Sequence, residues 1–415
     1  MTTKLTQLKL NDIGGFKDFE LNFHDNLTVL IGKNGAGKTT LLKSIALLFD
    51  MGLEVALKKA TLPDFDAINL TSQLGLSQSQ NNPLLFDNSL QPYLSLLFSI
   101  NDETVLIENQ NAWGSFDFSL FSDKLSLYAA HQNALPLFLY YPAYHAPIGK
   151  IDFSDLKLEN NIYAAYLSAC QESVFDFNRF FAWFAWQENI KREVGTNKQY
   201  DIIREAIYQV INDEQNLFDN LHITWQQNPN GDLCIEKNGT LLNINQLSAG
   251  EKMLMILVAD LARRLIVANP TSEHPLQQEG VVLIDEIDLH LHPSWQRAVV
   301  PNLRKLFPNC QFIMTTHSPL ILADVAPEHI VILKDFTAIQ NTQHTLGRDT
   351  NSILSDIMDV PERPKGVQEK FKACFALIDN NELQQAEQTL EQLEEHLGPN
   401  DPDIVYIHSL ISFYQ

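Results

Sequence analysis

The sequence is short of positive charge. Its 29 Lys and Arg stand against 51 Asp and Glu over 415 residues, a formal net charge of −22. A chain this acidic is repelled by nucleic-acid phosphate unless its few cations are concentrated, because such binding is dominated by Lys and Arg contacts. Two concentrations exist, Lys191, Arg192, Lys198 and Arg204 in the middle of the chain and Arg297, Arg304 and Lys305 further on. They leave nucleic acid open as a partner through a local basic patch, although the plainer expectation is a helix surface laced with ion pairs. Cysteine is scarce as well. Cys170, Cys234, Cys310 and Cys374 lie far apart with no C-x-x-C pair, which argues against a disulfide framework and for buried thiols in a reducing cytoplasm. No apolar run approaches the roughly 18 residues of a membrane span, and no export or lipidation signal is evident, so no membrane is expected. Long coiled-coil heptads are missing too. The 45% of hydrophobic residues suffices for a sizeable core with two or three lobes.

Against those absences stands one dense motif. Gly32-Lys33-Asn34-Gly35-Ala36-Gly37-Lys38-Thr39 has the form G-x4-G-K-[ST], preceded by the β-branched run Leu27 to Ile31 and followed from Thr40 to Asp50 by helical spacing. Strand, glycine-rich turn and helix are the context in which such a loop closes its N–H groups around phosphate oxygens. Lys38 is then placed to reach the β/γ-phosphates and the Thr39 hydroxyl to ligate Mg²⁺. A second apolar strand, Gly280 to Ile284, ends in Asp285-Glu286. Such a pair can be a mere solvated turn; in a Walker B arrangement Asp285 holds Mg²⁺ through water and Glu286 orients and polarises the attacking water. Leu247-Ser248-Ala249-Gly250-Glu251 opens a helical run from Lys252 to Ala268, where Ser248 is either an ordinary cap or a second phosphate contact. Asp288 follows the Walker B, and His317 follows the strand Gln311 to Thr316. His290 and His292 invite a metal reading with His317, but residues two apart on a helix share no face and the stretch lacks zinc-like ligand spacing.

These five elements in this order resemble the ATP-binding-cassette ATPases, in the chromosome-maintenance and recombination branch. The resemblance covers roughly residues 1 to 55 and 240 to 335. It implies an α/β P-loop NTPase fold, an ABC-type ATPase head with a mixed sheet, and ATP and Mg²⁺ as cofactors. It makes Leu247 to Glu251 the signature, departing from L-S-G-G-Q at Ala249 and Glu251 but keeping the phosphate-facing Ser248 and Gly250. Asp288 becomes the D-loop aspartate and His317 the switch histidine that senses the γ-phosphate. The Q-loop glutamine has three candidates, Gln73, Gln78 and Gln80. Leu8 to Phe23 looks like two antiparallel strands whose turn, Gly14 to Lys17, is either an adenine contact or a plain hairpin turn.

Four segments are expected: residues 1–156, an N-terminal ATPase lobe with the P-loop and an antiparallel insertion; 157–240, a helical insertion lobe with return strands; 241–348, a C-terminal ATPase lobe; and 349–415, an acidic all-α tail. In the insertion, Tyr93 to Ile100, Thr104 to Glu108 and Leu135 to Tyr141 read as added antiparallel strands. Phe177, Phe180, Phe181 and Phe184 fall on one helical face and read as core, with Phe175 and Trp186 opposite. The tail reads as three short helices, with Asp401-Pro402 starting the last. From Asp379 onward it carries acidic residues and no Lys or Arg. Together with Gly347 to Leu354, the short insertion and acidic tail resemble the Septu-type antiphage ATPases, including those that accompany retrons. That resemblance implies self-association as an ATP sandwich or higher even oligomer, an HNH nuclease subunit as partner and, in retron settings, a reverse transcriptase with RNA-linked DNA. Two alternatives compete: a repair- or recombination-type ATPase clamp on nucleic acid, and a self-contained nuclease of the overcoming-lysogenisation type using Asp401 and Asp403.

Overall fold

The computed structural model describes residues 3–59, 93–100, 102–108, 116–132, 134–143, 161–171, 177–226, 228 and 230–414. Gln73, Gln78, Gln80 and Phe175 lie outside them. The chain divides into two compact units, Met1–Arg348 and Asp349–Gln415.

In the larger unit, β1 (Lys4–Asn11) and β2 (Phe19–Asn22) form the expected hairpin, and β4 (Tyr93–Ile100) and β5 (Glu103–Glu108) extend it into a four-stranded antiparallel sheet of order β2-β1-β4-β5. The central sheet has six strands: β3 (Leu27–Ile31), β6 (Leu137–Tyr141), β10 (Gly280–Ile284), β11 (Cys310–Thr315), β12 (Ile330–Lys334) and β13 (Thr337–Gln340). Their order is β13-β12-β3-β11-β10-β6, parallel throughout except for β13. Every residue of β3, β6, β10 and β11 is buried, the signature of parallel strands covered on both faces. This corrects the reading of Leu135 to Tyr141 as an added antiparallel strand. β6 pairs parallel with β10 from Gly280↔Leu137 to Ile284↔Tyr141, because a run with no polar alternation has no face to offer water. A third sheet, β7 (Phe218–Thr224), β8 (Asp232–Lys237) and β9 (Thr240–Asn243), is antiparallel.

The phosphate-loop helix runs from Lys38 to Lys59, well past Asp50. Its Phe49 anchors the layers to each other: ring centroids lie 4.5 Å from Phe138 on β6 and 5.6 Å from Phe98 on β4, with Phe121 packed against both. In the helix Phe177–Val194, Phe177, Phe180, Phe181 and Phe184 are all buried, as their spacing requires, while Trp186 stays exposed. The smaller unit holds four helices, since Thr350–Asp356 adds one to the three expected; the Asp349 carboxylate caps it by accepting the Asn351 and Ser352 N–H groups. The other three, Lys365–Asp379, Leu383–Leu397 and Pro402–Tyr414, close a core around Cys374, Leu390 and Ile407.

A buried polar network, invisible in the sequence pattern, ties β6 to the helix Ala249–Ala268. Asp260 accepts from Arg263 at 2.9 Å, Arg264 at 2.7 Å and the Tyr141 hydroxyl at 3.1 Å, and Arg264 also donates to the carbonyl oxygens of Ala165 and Leu167. Burial alone would raise the Asp260 carboxyl; Arg264 and then Arg263 reverse that and hold it below the ordinary carboxylate range. A depressed folded pKa stabilises above the unfolded carboxylate value of about 3.9 and is lost as pH falls through the folded one, so the network contributes throughout the neutral range. Asp260→Asn strands two buried guanidinium groups and is expected to cost about 3–5 kcal/mol of stability at pH 7. Urea denaturation checks this, and a loss below about 0.5 kcal/mol, the range of a surface change, would contradict it.

Candidate nucleotide site

β3, β11 and β10 lie side by side and run parallel, so their C-terminal ends bring three motifs to one edge of the sheet, the usual place for ligands in open α/β sheets. The glycine-rich loop leaves β3. At Gly37, φ is 95° and a Cβ would stand 2.4 Å from the Phe16 ring, so only glycine fits. Phe16 belongs to the Gly14 to Lys17 turn, where Gly14 lies against Thr40 and Phe16 meets Phe336 edge-on at 5.3 Å. That turn is packed onto the base of the loop. Lys33, Asn34, Gly35 and Thr39 are exposed and Gly32, Ala36, Gly37 and Thr40 half-buried. Lys38 is buried and arches beneath the loop, its Nζ donating to the Gly32 carbonyl at 2.8 Å and the Lys33 carbonyl at 3.4 Å. Burial draws its ammonium pKa down, against the opposing pull of Asp285, Glu286 and Asp288.

Asp285 occupies the centre. It is 1% exposed; Oδ2 accepts the Thr39 hydroxyl at 2.8 Å and Oδ1 the Thr315 hydroxyl at 2.5 Å. Thr315 Oγ1 in turn accepts the Glu286 N–H at 2.7 Å, holding Glu286 in the left-handed region at φ 50°, a conformation that costs a non-glycine residue about 1–2 kcal/mol. Asp288 Oδ1 accepts from the Thr316 hydroxyl at 2.6 Å and the His317 N–H at 3.2 Å. Gln296 completes this corner, accepting from Ser318 at 2.6 Å and donating to the Leu291 carbonyl at 3.0 Å. Lys38, Thr39, Asp285, Glu286, Asp288 and His317 are therefore joined through short hydrogen bonds and neighbouring charges.

Ser248 and Ala249 are exposed at the start of the helix Ala249–Ala268. Ser248 and Glu251 cap one another: Glu251 N–H donates to Ser248 Oγ at 3.3 Å and Ser248 N–H to Glu251 Oε2 at 2.7 Å. Gly250 is buried, and a Cβ there would stand 2.3 Å from the His290 carbonyl oxygen. The D-loop backbone thus imposes this glycine by close approach.

Sequence reasoning missed Thr315, Gln296 and Tyr141. Thr315 and Thr316 carried a signal, being hydroxyl side chains at the end of a buried strand, where each needs a partner. Tyr141 closes β6, and its carbonyl accepts the Asp285 N–H at 2.9 Å; nothing local reveals it. His290 and His292 are not on a helix: they precede Pro293–Leu306, which His292 caps through Ser294 N–H. Among the described residues no group of three or more His, Cys, Asp or Glu is placed to hold a metal. Thr39 and Asp285 offer an all-oxygen pair that suits Mg²⁺, a hard ion that keeps several waters. The middle cations are engaged within the chain: Lys191 with Asp201 at 2.7 Å, Arg192 with Glu188 at 3.0 Å, Lys198 with the Glu273 carbonyl at 2.9 Å, and Arg204 against the Tyr200 and Tyr208 rings.

Two family models match, "AAA ATPase domain" over residues 4–125 and "AAA domain, putative AbiEii toxin, Type IV TA system" over residues 141–323. "Retron Vc95 probable ATPase" of Vibrio cholerae serotype O1 biovar El Tor is 28% identical over 87% of this chain and 80% of its own length. The chain is an ATPase, similar in sequence to that retron ATPase. "Retron Ec83 probable ATPase" of Escherichia coli is 39% identical over 42% of this chain and 33% of its own length, and "Septu protein PtuA" of Bacillus thuringiensis is 23% identical over 86% and 85%. The architecture is α/β, with a mixed central sheet flanked by helices and by further antiparallel sheets. Among the described residues no helix is long and apolar enough to cross a membrane.

The hydroxyl of Thr315 is the most specific test of this ATPase geometry. Thr315→Val keeps the shape and β-branching while removing both the bond to Asp285 and the acceptor for Glu286 N–H. Turnover is expected to fall about tenfold or more, with nucleotide affinity within about threefold of the parent; unchanged kcat would show that Thr315 does not hold Asp285 and Glu286 in working geometry.

Proposed function

We propose that this ATPase binds ATP with Mg²⁺, closes two copies around it, and through that closure regulates an effector carried by another chain in antiphage defence. The observation that carries the first part is the division of the motifs. Phosphate loop, Walker B, D-loop and switch meet at one sheet edge, whereas Ser248 and Ala249 stand exposed at a helix N-terminus, a phosphate-binding element facing outward. In this reading Gly32 to Thr40 cradle the phosphates, with Lys38 on the β/γ-phosphates. Thr39 and Asp285 hold the metal, which when bound neutralises charge developing on the phosphoryl oxygens. The Glu286 carboxylate accepts a hydrogen bond from the attacking water and His317 reads the γ-phosphate. Asp288 keeps His317 in place through the switch backbone, and Ser248 and Gly250 of the second copy cap the nucleotide.

The relatives' names place them in retron and Septu systems, which supports defence as the setting; the proposed effector is an HNH nuclease subunit, joined in a retron setting by a reverse transcriptase with RNA-linked DNA. A nuclease centre within this chain gains no support: Arg363 donates to both Asp401 oxygens at 2.8 and 2.9 Å and to Asp403 at 2.9 Å, so one guanidinium engages both carboxylates in a structural clamp. A nucleic-acid clamp would have to use Arg297, Arg304 and Lys305, exposed on the helix Pro293–Leu306, because the middle cations already have partners. The tail offers a docking face instead. On Pro402–Tyr414, Tyr406, Phe413 and Tyr414 are exposed, Phe413 at 82%, in a segment whose formal charges are all negative from Asp379 onward. Large aromatics in an anionic setting suit an amphipathic basic partner.

Glu286→Gln removes the water-polarising charge and leaves the Asp285 contacts, so with ATP and Mg²⁺ it is expected to accumulate as a dimer or higher even assembly; identical sizing profiles with and without ATP would contradict the sandwich. Tyr406→Asp combined with Phe413→Asp is expected to abolish capture of a co-expressed HNH subunit while ATP turnover stays within about twofold. Retained capture would place docking elsewhere.

A further inference from the structure

The signature departs from L-S-G-G-Q by a carboxylate, Glu251, in the first turn of the helix. A helix N-terminus attracts anions through its unpaired N–H groups and its dipole. Glu251 uses both properties itself, since its Oε2 accepts the Ser248 N–H at 2.7 Å. An arriving phosphate therefore meets a like charge already installed and one N–H already taken. That carboxylate does not stand alone. Lys237, at the end of β8, places Nζ 2.6 Å from Glu251 Oε1. Lys237 is aimed there by its own sheet: it pairs with Phe218 on β7 and Thr240 on β9, and its ammonium lies 5.4 Å from the centre of the Phe218 ring. The Glu251 carboxyl is held below its ordinary range; burial opposes this, and the hydrogen bonds from Lys237 and Ser248 prevail. Glu251 is therefore an anion at neutral pH, and its charge is matched by a cation from the three-stranded sheet.

We propose that Lys237 is a positioning residue that neutralises Glu251 and so keeps the exposed start of the signature helix receptive to the phosphates of ATP held by a second copy. The role rests on the sandwich reading. It acts through Glu251, and Lys237 itself need not touch the nucleotide.

The test uses the full chain carrying Glu286→Gln, which accumulates the ATP-bound assembly, as parent. Adding Lys237→Met is expected to weaken ATP-driven association about tenfold or more, with binding of a fluorescent ATP analogue at low protein concentration as in the parent. Adding Glu251→Gln to the Lys237→Met protein removes the unmatched charge and restores association to within about threefold, and Lys237→Arg, which keeps the cation, associates as the parent does. A triple variant no better than Lys237→Met would overturn this role, assigning Lys237 to direct phosphate contact or to packing, and so would parent-like association by Lys237→Met. A parent that fails to associate with ATP would overturn the sandwich reading, and this role with it.

Discussion

The Asp285 carboxylate, sunk at the end of β10, accepts one hydroxyl from the phosphate-loop helix and another from the end of β11. An anion this deeply buried is tolerable only with its acceptors satisfied, and losing a partner costs more than the bond is worth in isolation. That demand fixes how far the three neighbouring strands extend and where the segments leaving them turn. It also sets the next residue, because Thr315 can donate to Asp285 only while accepting the N–H that holds Glu286 in a left-handed conformation. One constraint therefore positions the hydroxyl offered to a cation, the carboxylate beside it and the side chain that follows.

The same carboxylate is tied to the inserted part of the chain. Tyr141 accepts the Asp285 N–H with its carbonyl and donates its hydroxyl to Asp260 on the helix that Ser248 begins. Two hydrogen bonds thus connect the end of β10 with the signature helix, and Arg264 continues the connection to the Ile162–Tyr166 turn. On the proposed reading, this is a physical route by which nucleotide state reaches the inserted elements. The glycine at position 250 belongs to the same economy of space: the signature helix must approach the D-loop backbone closely enough that no side chain intervenes.

Much of this was legible because it is local. A strand, a glycine loop and a helix occur consecutively around Lys38, and Asp285-Glu286 directly follow an apolar strand, so motif and secondary structure could be read from one window. The aromatic face of Phe177 to Phe184 was readable for the same reason, being a helical period. What escaped was long-range. The run at Leu137 to Tyr141 declares a strand but not its neighbour, and only pairing with β10 makes it parallel. Gln311 looks like an intruder in a core strand until its amide is seen bonded to Leu5 and to the His24 carbonyl. Asp260, Arg263 and Arg264 look like an exposed helical ion-pair cluster, and their burial depends on Tyr141, far away in sequence. Lys237 lies on a strand and Glu251 on a helix, so their ion pair could not be read from the motif alone. The cations of the middle segment follow the plainer expectation of an ion-paired surface, since Lys191 and Arg192 each meet a carboxylate, Lys198 a carbonyl and Arg204 two rings within the chain.

The central claim is that one chain supplies the phosphate loop and a second supplies the signature to the same ATP. Mixing two inactive proteins tests it most directly: Lys38→Ala, which cannot hold the phosphates, and Ser248→Arg, which blocks the cap. In a two-fold assembly, half the dimers of an equal mixture are hybrid, and each hybrid rebuilds one of its two sites. The account predicts that ATP turnover reappears on mixing at roughly a quarter of the parent rate, whereas turnover that stays at the level of the separate inactive proteins would contradict it.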